Sequence, residues 1–362
     1  MKKKLSIVFA LTFSIYTFSQ NIYVTKRDYS GSPTIHSLQK LDETNGNLQN
    51  NYNYTSTFLN NYGSTSKKLT FNPQTSEILG LVGNTIVKYN TTTGIETSFD
   101  LPVVQYIDYR DLIVANNRLF VTKRDYTNSS NYIHSLQELN QTNGNVINNY
   151  NYTTSFPSSY SPESLTFNVL TKEIIGISGN IISKYNIETG TESSFSIPTV
   201  QFVDYGDLVV ANNRLFITKR DYTNSSNYIH SLQEINQTNG NLINNYNFIT
   251  AFPNSYSPKS LTFDNLTKEI YGITNNIVTK YNINTGIESS YNLTIATSSD
   301  YGAIISINSE ETLGLNENVL ENENLEPLKA YNLLGQNIPI ETKNEIIIIV
   351  YKNGQTRKIF NL

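Results

Sequence analysis

The side chains able to do chemistry are concentrated in one stretch that the chain uses three times. TKRDYTNSSNYIHSLQ stands at 122–137, recurs letter for letter at 218–233, and has a looser copy beginning at Thr25. The copies contain all three histidines, His36, His134 and His230, and an Arg-Asp-Tyr run at 27–29, 124–126 and 220–222. Arginine, histidine and aspartate held together could ligate a metal or move a proton. If Tyr126 and Tyr132 flank the loop TNSSN, antiparallel pairing sets Arg124 opposite His134 and Asp125 opposite Ile133, so that Arg and His share one face of a sheet. A guanidinium at that distance disfavours the imidazolium form. The histidine is therefore expected to be neutral and hydrogen-bonded, which is the posture of a structural group. Repetition points the same way, since one catalytic centre has no use for three identical sets of its machinery.

The remaining carboxylates of interest sit in Asp-Tyr pairs at Asp108/Tyr109, Asp204/Tyr205 and Asp300/Tyr301. Two carboxyl groups in unlike environments would suit glycoside hydrolysis, but three equivalent copies offer no asymmetric acid and base. A central metal ringed by the His and Asp copies is disfavoured, because strand histidines should lie away from the axis. The chain has no Gly-rich phosphate loop, serine nucleophile elbow or HExxH motif. No catalytic residue, metal ligand or cofactor is therefore expected. The absence of cysteine removes disulfides and thiolate sites. With 26 basic against 30 acidic residues, no broad basic face offers itself to nucleic acid or to an anionic membrane.

What positions these residues is a repeat of 97 and then 96 residues, marked by Arg27, Arg124 and Arg220, with a finer period inside it. Six turns of the type DETNG, NTTTG, NQTNG, NIETG, NQTNG and NINTG end on Gly46, Gly94, Gly144, Gly190, Gly240 and Gly286, spaced 48, 50, 46, 50 and 46 residues apart. Asn or Asp caps its own backbone there, and Gly takes the positive φ that closes a hairpin. Between turns the chain reads as short strands. SLTFN, EIIGIS, NIISKYN and TESSFSI (164–197) make one set of four; DLVVANN, RLFITKRDY, YIHSLQEIN and NLINNYNF (207–248) make another. Six sheets of four strands predict a β-propeller, in which each sheet buries its faces against its neighbours. The mature chain opens directly on NIYVTKRDY, and the strand missing there reappears far away as DYGAIISIN (300–308), matching DYGDLVVAN (204–212). A linear β-solenoid has no reason to split a repeat in this way. The fold expected is thus all-β: a six-bladed β-propeller over 20–309, built of three tandem two-blade repeats and closed by a C-terminal strand, plus a small C-terminal β-domain. In turn signature and strand count the chain resembles β-propeller repeat proteins.

Both ends read as addresses. Residues 1–19, from MKKKLSIVF onward, combine three lysines, an apolar run and small or polar residues near Ser19, the pattern of a secretory signal peptide. The run is shorter than the ~20 residues a membrane span requires, so no span is expected after cleavage. An acidic, asparagine-rich linker (310–326) leads to three strands in 327–362: LKAYNLLGQNI, EIIIIVYKNGQ and RKIFNL. With its Leu334-Gly335-Gln336 and Lys352-Asn353-Gly354 turns, this segment resembles the C-terminal sorting domain of proteins exported by the Bacteroidetes type IX secretion system. The resemblance implies the type IX machinery as a partner, export across both membranes, removal of the tail, and release or attachment at the cell surface.

In a propeller the loops joining strands two to three and those joining one blade to the next lie on the same face. That face would gather Arg27, Tyr29, Arg124, Asp125, Tyr126, Arg220, Asp221 and Tyr222 with the three Asp-Tyr pairs and the loops SFPSSYSPES (155–164) and AFPNSYSPKS (251–260). Tyrosine offers a rigid apolar plate with a polar tip, while Ser and Asn offer adaptable hydrogen bonds, a combination suited to glycans or proteins. The expected function is non-catalytic extracellular binding or adhesion, as a monomer, secreted or on the outer surface of a Bacteroidetes-type bacterium. The alternative is an extracellular polysaccharide-active enzyme, glycosidase or lyase, on the same face. An enzyme should have one blade that breaks the three-fold pattern around a cleft; the departures visible are the shortened loop SGSPT and Ala303 in the place of Asp111 and Asp207.

Overall fold

In the computed structural model the described residues are 21–55, 68–128, 132–156, 162, 164–224, 228–252, 258–294, 298–307, 327–332, 336–339, 345–351 and 356–361. The leader, the linker, the turn residues 334–335 and 352–354, and most of the loops 155–164 and 251–260 lie outside them.

Residues 21–307 form six four-stranded antiparallel sheets. Blade 5 shows the plan: Val203–Ala211 innermost, then Arg214–Asp221, Ile229–Ile235 and Leu242–Asn247 at the rim. Burial follows that order. Leu208, Val209 and Ala211 on the inner strand are buried, whereas Leu242 and Ile243 on the rim are exposed. Blade 4 repeats the plan with Ser164–Asn168, Glu173–Ser178, Ile181–Asn186 and Glu192–Ser196. The innermost strand of each blade touches that of the next, and the sixth touches the first, so the sheets close into a ring. This is a six-bladed β-propeller.

Closure comes from the split repeat. Ser299–Ile307 pairs antiparallel with Asn21–Asp28, with Ile22 opposite Ser306 and Arg27 opposite Asp300, and becomes the innermost strand of blade 1. A solenoid would leave both strands unpaired at opposite ends. Stability lies mainly between blades. Ile113, Ala115, Phe120 and Leu136 of blade 3 pack on Leu165, Ile174, Tyr185 and Ile187 around blade 4; Ile22 and Val24 of blade 1 pack on Tyr271, Ile273 and Val278 of blade 6. Each such aliphatic side chain contributes about 1.5–3 kcal/mol when fully buried.

The six turns take the geometry their residues demand. Asn90 Oδ1 accepts from the backbone N–H of Thr92 at 3.0 Å and Thr93 at 2.8 Å, and the glycine that follows, Gly94, sits at φ 70°. Gly144 is doubly constrained: φ is 73°, and a Cβ would lie 2.5 Å from the Phe99 ring of the preceding blade. Among the described residues no helix is long and apolar enough to cross a membrane.

The C-terminal unit is a sheet in the order Asn337–Ile338, Pro327–Asn332, Glu345–Tyr351, Thr356–Asn361. The segment expected as one strand over 328–338 is thus two. Asn332 turns the chain, its side chain accepting from Gln336 N–H at 2.9 Å while its own N–H donates to Gln336 O at 3.0 Å.

Candidate binding face

On the face where second strands end and inner strands begin, each odd-numbered blade carries the same row of three side chains. In blade 3 Asp108 lies opposite Arg124, and Arg124 opposite His134. Blade 5 repeats this with Asp204, Arg220 and His230, and blade 1 with Asp300, Arg27 and His36. The arginine grips the aspartate with two nitrogens: Nε to Oδ1 is 3.2 Å for Arg124–Asp108 and 3.1 Å for both Arg220–Asp204 and Arg27–Asp300, and the second nitrogen reaches Oδ2 in each. Half-exposed pairs of this kind contribute at most about 1 kcal/mol to stability. Their consequence is positional. The guanidinium is laid over the tyrosine two residues on, 4.9 Å from the Tyr126 ring centre, 5.2 Å from Tyr222 and 5.3 Å from Tyr29.

The histidines lie beneath this layer. His134 and His230 are buried and meet Phe156 and Phe252 edge to face, with centroids 5.2 Å apart in both cases. All three histidines are held below the usual imidazole range, by burial first and the neighbouring guanidinium second, against a smaller opposing pull from the aspartate. The neutral form expected from the sequence is therefore favoured chiefly by desolvation, and by arginine only in second place.

The other candidate residues divide by what they touch. Asp125 folds its loop: Oδ1 accepts from Thr127 N–H at 3.0 Å and from its hydroxyl at 2.7 Å, and those bonds hold the carboxyl below its ordinary range. Asp221 does the same with Thr223. Tyr109, Tyr205 and Tyr301 lean onto the cores between blades, donating to the carbonyls of Pro102, Pro198 and Thr294 at 3.5, 3.3 and 3.0 Å.

Two residues that sequence reasoning passed over complete the arrangement. Tyr106 and Phe202 are 47% exposed and sit at φ 67° and 63°, a left-handed backbone that costs a bulky residue about 1–3 kcal/mol. Each packs edge to face on the loop tyrosine, Tyr106 on Tyr126 at 5.7 Å and Phe202 on Tyr222 at 5.9 Å. Tyr132 and Tyr228 close the other side at 6.4 and 6.3 Å. Two three-ring clusters backed by arginine result, one on blade 3 and one on blade 5. The corresponding places on blade 1 hold Ser298 and Thr34, leaving Tyr29, which is 49% exposed. The available signal was an aromatic residue two places before Asp-Tyr in two of three repeats. Blade 3 is further distinguished by Arg110, where its relatives have Gly206 and Gly302; it adds a second guanidinium to Asp108 at 3.0 Å.

No protein-family model and no curated protein matches the chain. Among solved structures it is similar to a protein of unknown function from Bacteroides caccae, with TM-score 0.55 and 9% identity over 80% of this chain and 99% of that one. A candidate 6-phosphogluconolactonase from Bacteroides fragilis aligns with TM-score 0.46 and 10% identity over 80% and 98%. At these identities the first likeness shows the fold alone.

Proposed function

We propose that this chain is an exported, non-catalytic binding or adhesion protein that holds a glycan or protein ligand against one face of its propeller. The observation that carries the reading is the pair of aromatic clusters on blades 3 and 5, each with an exposed ring fixed on costly left-handed backbone. A ring held there serves no core, and backbone strain of this kind persists where a site needs a side chain in one place. Rigid aromatic plates on loops that carry Thr127, Asn128, Thr223 and Asn224 suit the apolar faces and hydroxyl edges of sugars, or a tyrosine-rich contact with protein. Asp108, Asp204 and Asp300, each clasped by an arginine, balance charge. Glycoside hydrolysis needs two carboxyl groups facing one bond, whereas each of these carboxylates is engaged by arginine, Asp108 by two, so binding is favoured over hydrolysis.

The ends support an extracellular setting. The signal-like leader and the tail resembling type IX sorting domains form a consistent pair of addresses. A screen of the full chain against glycans and matrix proteins tests the ligand class; loss of the retained ligand in Tyr126→Ala and Tyr222→Ala variants supports the reading, and unaltered binding in both refutes it.

A further inference from the structure

At the axis, the three-fold pattern is broken by charge. The inner-strand positions 111, 207 and 303 carry Asp, Asp and Ala, and the intervening blades carry Ser164 and Ser260 on their inner strands and Lys68 immediately before the inner strand Leu69–Asn72. All six side chains are buried. Lys68 enters from blade 2 and its Nζ lies 3.2 Å from Asp207 Oδ1, 3.2 Å from Leu208 O and 3.3 Å from Ser164 Oγ. Blades 2 and 5 are diametrically opposed in a ring of six, so this ion pair spans the axis.

The carboxylates are anchored into their neighbours as well. Asp111 Oδ2 accepts from Leu165 N–H of blade 4 at 2.7 Å, and Oδ1 from Leu112 N–H at 2.9 Å. Asp207 Oδ1 accepts from Leu208 N–H at 2.7 Å, and Oδ2 from Leu261 N–H of blade 6. Through Lys68 and Asp207, blades 2, 4, 5 and 6 meet at one ammonium and one carboxylate.

We propose that Lys68, Asp207 and Asp111 form an axial ionic latch, which fastens opposite sides of the ring together and has Asp111 as its proton-accepting member. Lys68 pairs directly with Asp207 and acts on Asp111 through space, so among the described residues acting on Asp111 two buried carboxylates stand against one ammonium. Among the described residues the charged groups that act on Asp111 are Lys68 and Asp207, while position 164 on blade 4 and position 260 on blade 6 are Ser and position 303 on blade 1 is Ala. Burial is the largest influence and pushes the Asp111 carboxyl up to about 7, with Asp207 adding to it and Lys68 and the two backbone N–H groups opposing.

The sign follows. The folded chain holds this proton between the ordinary aspartate pKa and about 7, whereas the unfolded chain has released it. The contribution of Asp111 to stability therefore declines as pH rises through that window and is flat above it.

Thermal melting of the full chain tests both parts. Lys68→Ser, which installs the residue found at 164 and 260, leaves Asp207 buried without its cation and should lower the melting temperature by roughly 6 °C or more. Lys68→Ser/Asp207→Ala, which adds the residue found at 303, should recover at least half of that loss. The melting difference between wild type and Asp111→Asn should change between about pH 5 and about pH 8, in the sense of wild type losing stability relative to the variant at the higher pH. An unchanged melt for Lys68→Ser, or a double variant as unstable as the sum of its parts, overturns the latch. A wild-type minus Asp111→Asn difference that is constant with pH overturns the proton uptake. If Asp111→Asn fails to fold, the carbonyl stretch of a protonated carboxyl in wild type, present at pH 6 and absent at pH 8 or the same at both, decides the point on its own.

Discussion

The arginine of the repeated Arg-Asp-Tyr has partners on both sides, an aspartate on the inner strand and a tyrosine under its guanidinium, and the histidine beside it is packed away beneath. That layering separates folding from binding and can be tested one side chain at a time. His134→Ala removes an imidazole buried against the Phe156 ring and should cost roughly 1–3 kcal/mol, read as a lower melting temperature; His230→Ala should match it, because its surroundings are the same within the repeat. The histidines also set an acid limit. Their folded-state pKa values lie below the ordinary imidazole value, so the unfolded chain takes protons first as pH falls below about 6.5, and stability is lost in that direction. A His134→Ala/His230→Ala variant should show a shallower fall in melting temperature between about pH 6.5 and pH 5 than wild type; an equally steep fall would falsify the buried-neutral assignment. At the surface the balance differs. Tyr106→Gly removes an edge-to-face contact worth about 0.5–1.5 kcal/mol, adds a glycine entropy cost of about 0.5–1 kcal/mol and relieves backbone strain of about 1–3 kcal/mol, so losses and gain nearly cancel. Melting should shift by only a few degrees while binding at that cluster is lost.

Among the elements, the strand that closes the ring carries the largest single consequence. Deleting Ser299–Ile307 exposes the edge of Asn21–Asp28 and opens the Ala303, Ile305 and Ile307 packing against Leu69 and Phe71; an unpaired edge templates association with other chains. The deletion should give a lower melting temperature and oligomers on size exclusion, whereas an unchanged monomeric melt would contradict closure. This strand was readable beforehand because a repeat cannot hide a missing member: NIYVTKRDY had no partner and DYGAIISIN had no blade. The pairing of Arg124 with His134 was readable for a similar reason, since two tyrosines fixed the loop and the register followed. Tyr106 and Phe202 were not, because a positive φ on an aromatic residue runs against its own preference and leaves no turn signature. Lys68 was hidden differently. Its partner lies 139 residues away on the opposite side of the ring, and only the closed architecture brings the two together.

For the whole molecule, the ring and the tail are separate units, and their tests separate too. Removing 327–362 should leave the propeller folded, with the melt of the ring retained, and should stop the chain in the periplasm if the tail is an export address; normal export of the shortened chain would refute that role. The face asks for a comparison among its three copies, two with three rings and one with a lone tyrosine. The decisive measurement is the affinity of the ligand retained from a glycan and matrix-protein screen for wild type, Tyr106→Ala/Phe202→Ala and Tyr29→Ala. Loss of about 1–3 kcal/mol of ring contact at each full cluster predicts weakening of at least about tenfold in the double variant and under about threefold in Tyr29→Ala, with all three proteins melting within a few degrees of one another. Equal affinities across the three would contradict the assignment of binding to this face.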